Sequence, residues 1–190
     1  MANLTEVRWH GRGGQGAKTA GYVLAVAAAG QGWQVQAFPE YGAERRGAPM
    51  RSYVRISDAP IRLRSGIQSP NIVVVLDESL LKTENITGGV PDDGLIIVNT
   101  AHSPDQMAAE LGHPNAQVCT VDASTISMET IGRDMPNTPM LGALAKLSDI
   151  LDLETTIAAV EKQLSEKFPA AVVESNAQAI KRAYEEVQVA

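Results

Sequence analysis

A three-layer α/β fold is predicted, with a mostly parallel sheet, an added antiparallel hairpin and C-terminal helices packed on it, and three observations carry that prediction. Residues 72–76 and 95–98 are unbroken apolar runs rich in valine and isoleucine, the pattern of strands covered on both faces. Stretches of helical periodicity alternate with such runs, as crossover helices between parallel strands do. A β-branched and aromatic run over 4–9 stops at Gly11, ahead of an alanine-rich segment over 17–29. Gly11, Gly13 and Gly16 therefore sit on a strand-to-helix turn with the G-x-G-x-x-G spacing of a Rossmann-like unit.

The first helix carries Ala20, Val23, Leu24 and Ala27 at helical spacing, stops at Gly30 and Gly32, and has side chains small enough to seat closely on a sheet. A strand over 34–38 runs into the breaker cluster Pro39-Glu40-Tyr41-Gly42 and completes a β-α-β start. Residues 41–50 read as a loop. Over 50–56, Met50, Ser52, Val54 and Ile56 alternate with Arg51, Tyr53 and Arg55. With a turn at Asp58-Ala59-Pro60 and a short returning strand over 61–64, this segment is expected to form the hairpin. Asp77 and Glu78 are read as a solvent-facing cap for the short segment 80–82. A helix over 103–111 is capped by Ser103 with Pro104 at its first position, a strand follows over 117–121, and a further helix over 123–132. The segment 140–151 is a helix entered from Asn137-Thr138-Pro139. Two amphipathic helices close the chain, one with Leu153, Ile157, Val160 and Leu164, the other with Ala177, Ile180, Tyr184 and Val187 and a cap at Ser175 or Asn176. With no repeat or linker between them, residues 1–190 are read as one domain.

Composition narrows the function classes. A formal charge of −6 argues against nucleic acid as a partner. The single Cys119 lies in an apolar run, where a thiol acts as a small buried hydrophobe, and one cysteine makes neither an iron–sulfur cluster nor an internal disulfide. His10, His102 and His113 lack the spacing of a zinc site. No apolar run approaches the roughly 20 residues of a membrane span, and the N-terminus lacks the blocks of a signal peptide. The expectation is a cytoplasmic protein with no membrane partner.

The glycine turn is the leading candidate site. Free N–H groups and the dipole at the helix start favour an anion, with Lys18 or Arg12 adding charge. By spacing alone, two readings stand: the loop holds a phosphate, or it lets two elements pack closely. A free-standing dinucleotide-binding oxidoreductase is the alternative function. That alternative wants an acid about 20 residues on for the ribose, and the strand over 34–38 ends without one, Glu40 being the nearest. The phosphate-loop pattern fails because Ala17 separates Gly16 from Lys18 and Thr19. His10, at the strand end beside the loop, has the chemistry for proton transfer, but the motif supplies no carboxylate or nucleophile and no catalytic residue is assigned. Asp92-Asp93-Gly94 is read as a plain turn. Arg45, Arg46, Arg51, Arg55, Arg62 and Arg64 are the one positive run in an acidic chain, open to three readings: a solvated face, a subunit interface, or recognition of an anionic ligand such as a coenzyme.

More specific than any of these patterns alone is a set of segments in matching order: Gly-Arg-Gly-Gly-Gln-Gly-Ala-Lys-Thr over 11–19, Phe-Pro-Glu-Tyr-Gly-Ala-Glu-Arg-Arg-Gly-Ala-Pro over 38–49, Ile61-Arg62, and Asn-Thr-Pro-Met-Leu-Gly-Ala over 137–143. Together they closely resemble the gamma subunit, or gamma domain, of the 2-oxoacid:acceptor oxidoreductases, the family of pyruvate:ferredoxin oxidoreductase, over nearly the full length. The resemblance implies membership of a complex that oxidatively decarboxylates a 2-oxoacid, whether pyruvate, 2-oxoglutarate, a branched-chain acid or an aryl acid such as phenylglyoxylate, to an acyl-CoA. It implies that thiamine diphosphate, Mg2+ and [4Fe-4S] clusters reside in partner alpha, beta and delta (ferredoxin-like) subunits, that ferredoxin or NAD takes the electrons through those partners, and that this chain holds none of these groups itself. Coenzyme A is the co-substrate whose site a gamma chain helps to shape. The implied residues are Gly11, Arg12, Gly13, Gly14, Gln15, Gly16, Lys18 and Thr19, with Glu44, Arg45, Arg46 and Gly47 beside them, for the coenzyme or the subunit interface.

Overall fold

The computed structural model describes residues 3–41, 47–113 and 115–190, Tyr41 by its backbone alone. Its sheet has seven strands. In chain order they are β1 (Leu4–Arg12), β2 (Gln34–Tyr41), β3 (Pro49–Ser57), β4 (Ile72–Val75), β5 (Leu95–Asn99), β6 (Gln117–Val121) and β7 (Gln188–Val189), arranged β2-β3-β1-β4-β5-β6-β7. β1, β4, β5 and β6 form the parallel centre, and β2, β3 and β7 are antiparallel additions at its flanks.

The predicted hairpin exists, but between other partners. β3 pairs with β2 on one side and β1 on the other, so it has no free edge for a returning strand, and residues 61–64 have none. β2 runs on through Pro39 to Tyr41 because it lies at the sheet edge, where a missing N–H is tolerated. The initial crossover therefore skips a place: β2 runs parallel to β1 with β3 inserted between them.

Among the described residues six helices complete the fold: α1 (Ala17–Gly30), α2 (Pro104–Leu111), α3 (Ala123–Thr130), α4 (Asn137–Leu147), α5 (Leu153–Ser165) and α6 (Ala170–Glu186). A 3-10 turn spans Glu78–Lys82. Strand alternation divides the core in two. Val7, Trp9, Val54, Val74, Ile97 and Cys119 face the layer containing α1, α3, α4, α5 and α6. Val73, Val75, Ile96, Val98 and Val118 face the 3-10 turn and α2, with Leu80 and Met107 in the seam. Cys119 is fully buried, as its apolar run implies, and burial pushes its thiol up to about 11.

Close seating of α1 depends on Gly21, where an added Cβ would fall 2.7 Å from Ser52 Oγ. α4 opens three residues earlier than expected, at Asn137, with Pro139 within its first turn, where an absent N–H costs nothing. α6 opens after Pro169, not at Ser175 or Asn176. Those two residues sit inside the helix and donate back to the carbonyls of Ala171 and Val172, the alternative use of such side chains.

Candidate functional site

β1 ends and α1 begins at the carboxyl edge of the parallel strands, the place where open α/β sheets bind ligands. Between them, Arg12 to Gly16 form a tight loop closed on itself: Arg12 N–H donates to Gln15 Oε1 at 2.7 Å and Gln15 N–H to Arg12 O at 3.0 Å. Gly13 ties the loop to the start of β3, donating to Ala48 O at 3.0 Å and accepting from Gly47 N–H at 3.2 Å.

The loop is held from outside by Asp77, at the end of β4. Asp77 Oδ2 accepts from Arg12 Nε at 3.1 Å and from Gln15 Nε2 at 2.8 Å. The remaining arms of Arg12 reach Gly47 O at 3.0 Å and Ser79 Oγ at 2.8 Å. Arg12 thus spends its fork on the protein and acts as the clamp of the loop. Burial pushes the Asp77 carboxyl upward, but hydrogen bonds from Ser79 and Gln15 and the charge of Arg12 outweigh it and hold the carboxyl below its ordinary range. Asp77 also caps the 3-10 turn through Ser79 N–H, as expected, but its side chain is largely buried in the loop instead of facing solvent.

Gly16 sits at a φ of +83° as the residue before α1, and among the described residues no side chain caps the helix; its first turn carries no acidic residue. The N–H groups of that turn have no intrahelical acceptors. Lys18 and Thr19 are exposed there, and the space around the Gly14 Cα is open. This is an electropositive helix start on a preformed loop.

His10 lies just inside the loop and is only 1% exposed, with neither ring nitrogen hydrogen-bonded among the described residues. Burial, with Arg8 and Arg51 nearby, lowers its pKa to about 3, so the ring is neutral. It is a floor residue cut off from solvent, not a general base at the surface.

The structure divides the arginine run. Arg51 pairs with Glu84 at 2.8 Å, and the buried Arg55 pairs with Glu6 at 2.7 Å while also donating to Gln36. Both belong to the face of β3 that points away from α1. Arg62 and Arg64 are exposed on the segment after β3, with no hydrogen bond to the loop among the described residues. Glu44, Arg45 and Arg46 lie outside the described residues, whereas Gly47 is in the loop's hydrogen-bond ring. Glu40, the nearest candidate for a ribose acid, lies on β2, two strands from β1, and accepts from Tyr53 Oη of β3.

Asp77 and Asn137 meet the loop although neither belongs to its G-x-G-x-x-G motif. Both come from far along the chain and meet the loop only through the fold. One signal was available for Asp77: it ends an apolar strand, and ends of neighbouring parallel strands converge. Among the described residues no group of three His, Cys, Asp or Glu is placed to hold a metal ion, and no helix is long and apolar enough to cross a membrane.

Comparison with known proteins gives these observations their setting. The family described as pyruvate ferredoxin/flavodoxin oxidoreductase matches residues 6–186. Pyruvate synthase subunit PorC of Thermotoga maritima is 49% identical over 183 residues, covering 96% of this chain and 94% of the relative. The pyruvate/ketoisovalerate oxidoreductases common subunit gamma of Pyrococcus abyssi is 44% identical over 186 residues, 98% of each chain. The crystal structure of the Thermotoga maritima pyruvate oxidoreductase subunit PORC is similar at a TM-score of 0.88 and 44% identity, over 98% of each chain.

Proposed function

The chain belongs to the pyruvate ferredoxin/flavodoxin oxidoreductase family, and from that membership we propose that it is the gamma subunit of a thiamine-diphosphate-dependent complex that converts a 2-oxoacid to an acyl-CoA. Its relatives make pyruvate and branched-chain 2-oxoacids the first substrates to test. In this reading residues 1–190 act as one gamma-type domain that shapes the coenzyme A site and the subunit interface in a cytoplasmic assembly. The observation that carries it is the clamped, uncapped start of α1. Arg12, Gln15 and Asp77 fix the loop, and the first-turn amides with Lys18 then meet the phosphates of the coenzyme without having to be ordered first.

The residues of this chain do not fit the family's redox groups. Cluster iron needs several thiolates, and the one cysteine is buried in β6 with its pKa pushed up, the opposite of a ligand thiolate. Asp92 and Asp93 stand in the turn before β5 and form no acidic cluster for the Mg2+ of thiamine diphosphate. Decarboxylation and electron transfer accordingly belong to alpha, beta and delta partners, with ferredoxin or NAD as acceptor. This chain binds, orients and screens the coenzyme.

The test is reconstitution. Co-purified with its partners, the chain supports reduction of a viologen dye that depends on both a 2-oxoacid and coenzyme A; the isolated chain supports none and shows no visible chromophore. Dye reduction by the isolated chain with pyruvate would contradict the reading.

A further inference from the structure

Two helices open against one side chain. Asn137, the first residue of α4, lays its carboxamide over Gly16, so that a Cβ added to Gly16 would fall 2.6 Å from Asn137 Cγ. Asn137 is only 5% exposed, yet its Oδ1 has no hydrogen-bond partner among the described residues. A buried amide oxygen left unpaired is destabilising, and a fold retains it where something else satisfies the group. A carboxamide can satisfy either kind of partner there, because a half-turn exchanges its oxygen for a two-proton donor.

The surroundings decide which kind. Among the described residues neither α1 nor α4 has a side-chain cap, and neither carries an acid in its first turn. The other helices that open from strand ends do have caps: α2 has Ser103 and α3 has Asp122. Two positive dipole ends therefore meet beside the Asn137 carboxamide, Pro139 contributing no N–H to the α4 turn, with Lys18 and Thr19 exposed alongside. A tetrahedral oxyanion accepts from several donors at once and suits such a place.

We propose that Asn137 and the opening turns of α1 and α4 form a phosphate subsite, with the carboxamide turned to donate through Nδ2 to the bound phosphate oxygen. The inference rests on the reading of this chain as the coenzyme A-shaping subunit. It assigns α4, not α1 alone, to the recognition of a phosphate group, whether that of coenzyme A or inorganic phosphate.

The assembled complex provides the test, with Asn137→Asp as the main variant because it preserves shape while placing a negative charge where the donor stood. The KM for coenzyme A should rise at least about tenfold, the equivalent of one lost charge-assisted hydrogen bond, while the KM for the 2-oxoacid changes by less than about twofold. Inorganic phosphate should compete with coenzyme A in the wild-type complex and compete more weakly in the variant. Dephospho-coenzyme A separates the sources: a KM insensitive to Asn137→Asp assigns the subsite to the 3′-phosphate, and an equally sensitive one assigns it to the diphosphate. If Asn137→Asp does not assemble, Asn137→Ser takes its place, with an expected rise of about threefold to fivefold. Unchanged KM for coenzyme A together with unchanged phosphate competition in an intact complex would overturn the subsite. Lys18→Ala, run in parallel, tells the two failures apart. If it alone raises the KM for coenzyme A, the subsite fails and the coenzyme A-shaping reading stands; if neither variant does, both of these fail.

Discussion

α1 and α2 both begin where a parallel strand ends, and they begin in opposite ways. At α2, Ser103 accepts from Gln106 N–H while Gln106 reaches back to Ser103 N–H, and Pro104 fills the first position. That start is chemically closed: its donors are satisfied within a few residues of sequence. At α1 the corresponding place is a left-handed glycine with no cap, and the loop before it is held by Asp77 and Arg12 from the outside. The difference teaches that the open start is built and not neglected. The same fold that closes α2 locally spends a charged pair and a buried asparagine to keep the first turn of α1 available.

Four variants break or sharpen this contrast. The largest effect is expected from the floor of the α1 loop. His10 has a folded-state pKa of about 3 against 6.5 unfolded. Between those values the unfolded chain binds more protons, so stability is fully present above pH 6.5 and drains as pH falls toward 3, by about 3–5 kcal/mol in all. His10→Leu should flatten that slope in denaturant unfolding measured across pH, and a slope that persists would show that other groups carry it. Next comes Gly16→Ala. It places a side chain at φ +83° and drives it into Asn137, a loss of about 2–4 kcal/mol readable as a lowered Tm. The same Tm as wild type would mean that the loop has room the structure denies it.

Asp77→Ala removes the acceptor shared by Arg12 and Gln15 and should cost about 1–3 kcal/mol. Because the Asp77 carboxyl is held below its ordinary pKa, its contribution is complete above pH 4 and is lost as pH falls through the lowered folded value. Wild type and Asp77→Ala should therefore converge in stability in acid; a gap that stays constant would separate Asp77 from its charge. The smallest effect belongs to α2, where Ser103→Ala loses a local cap worth about 1 kcal/mol and leaves the KM for coenzyme A in the assembled complex unaltered.

These two helix starts also mark how far the sequence could be read. The start of α2 was legible because everything that fixes it lies between Ser103 and Gln106. β4, β5 and β6 were legible for a similar reason, since strands covered on both faces announce themselves in uninterrupted apolar residues. The glycine loop was legible as a turn and, by family resemblance, as a site. Its clamp was not, because Asp77 reaches the loop only through the strand order, with the end of an apolar strand as its one local sign, and the contact of Asn137 with Gly16 comes only from the packing of α4 on α1. Where local signals misled, tertiary pairing had the stronger claim. β3 had already used both edges when residues 61–64 came to pair, and Pro39 could remain in a strand because β2 ended up at the sheet edge. Ser175 and Asn176 look like a helix cap until Pro169 is seen to open α6 earlier.

Amide hydrogen exchange over residues 16–20 in the assembled complex, with and without coenzyme A, tests most directly whether the first turn of α1 is kept open for an anion. The account predicts fast exchange at Lys18 and Thr19 in the free complex and slowing of at least about tenfold, or 1.4 kcal/mol of protection, when the coenzyme is added, with the capped start of α2 unchanged. Exchange at Lys18 and Thr19 that is equally fast with coenzyme A bound and turning over would contradict it.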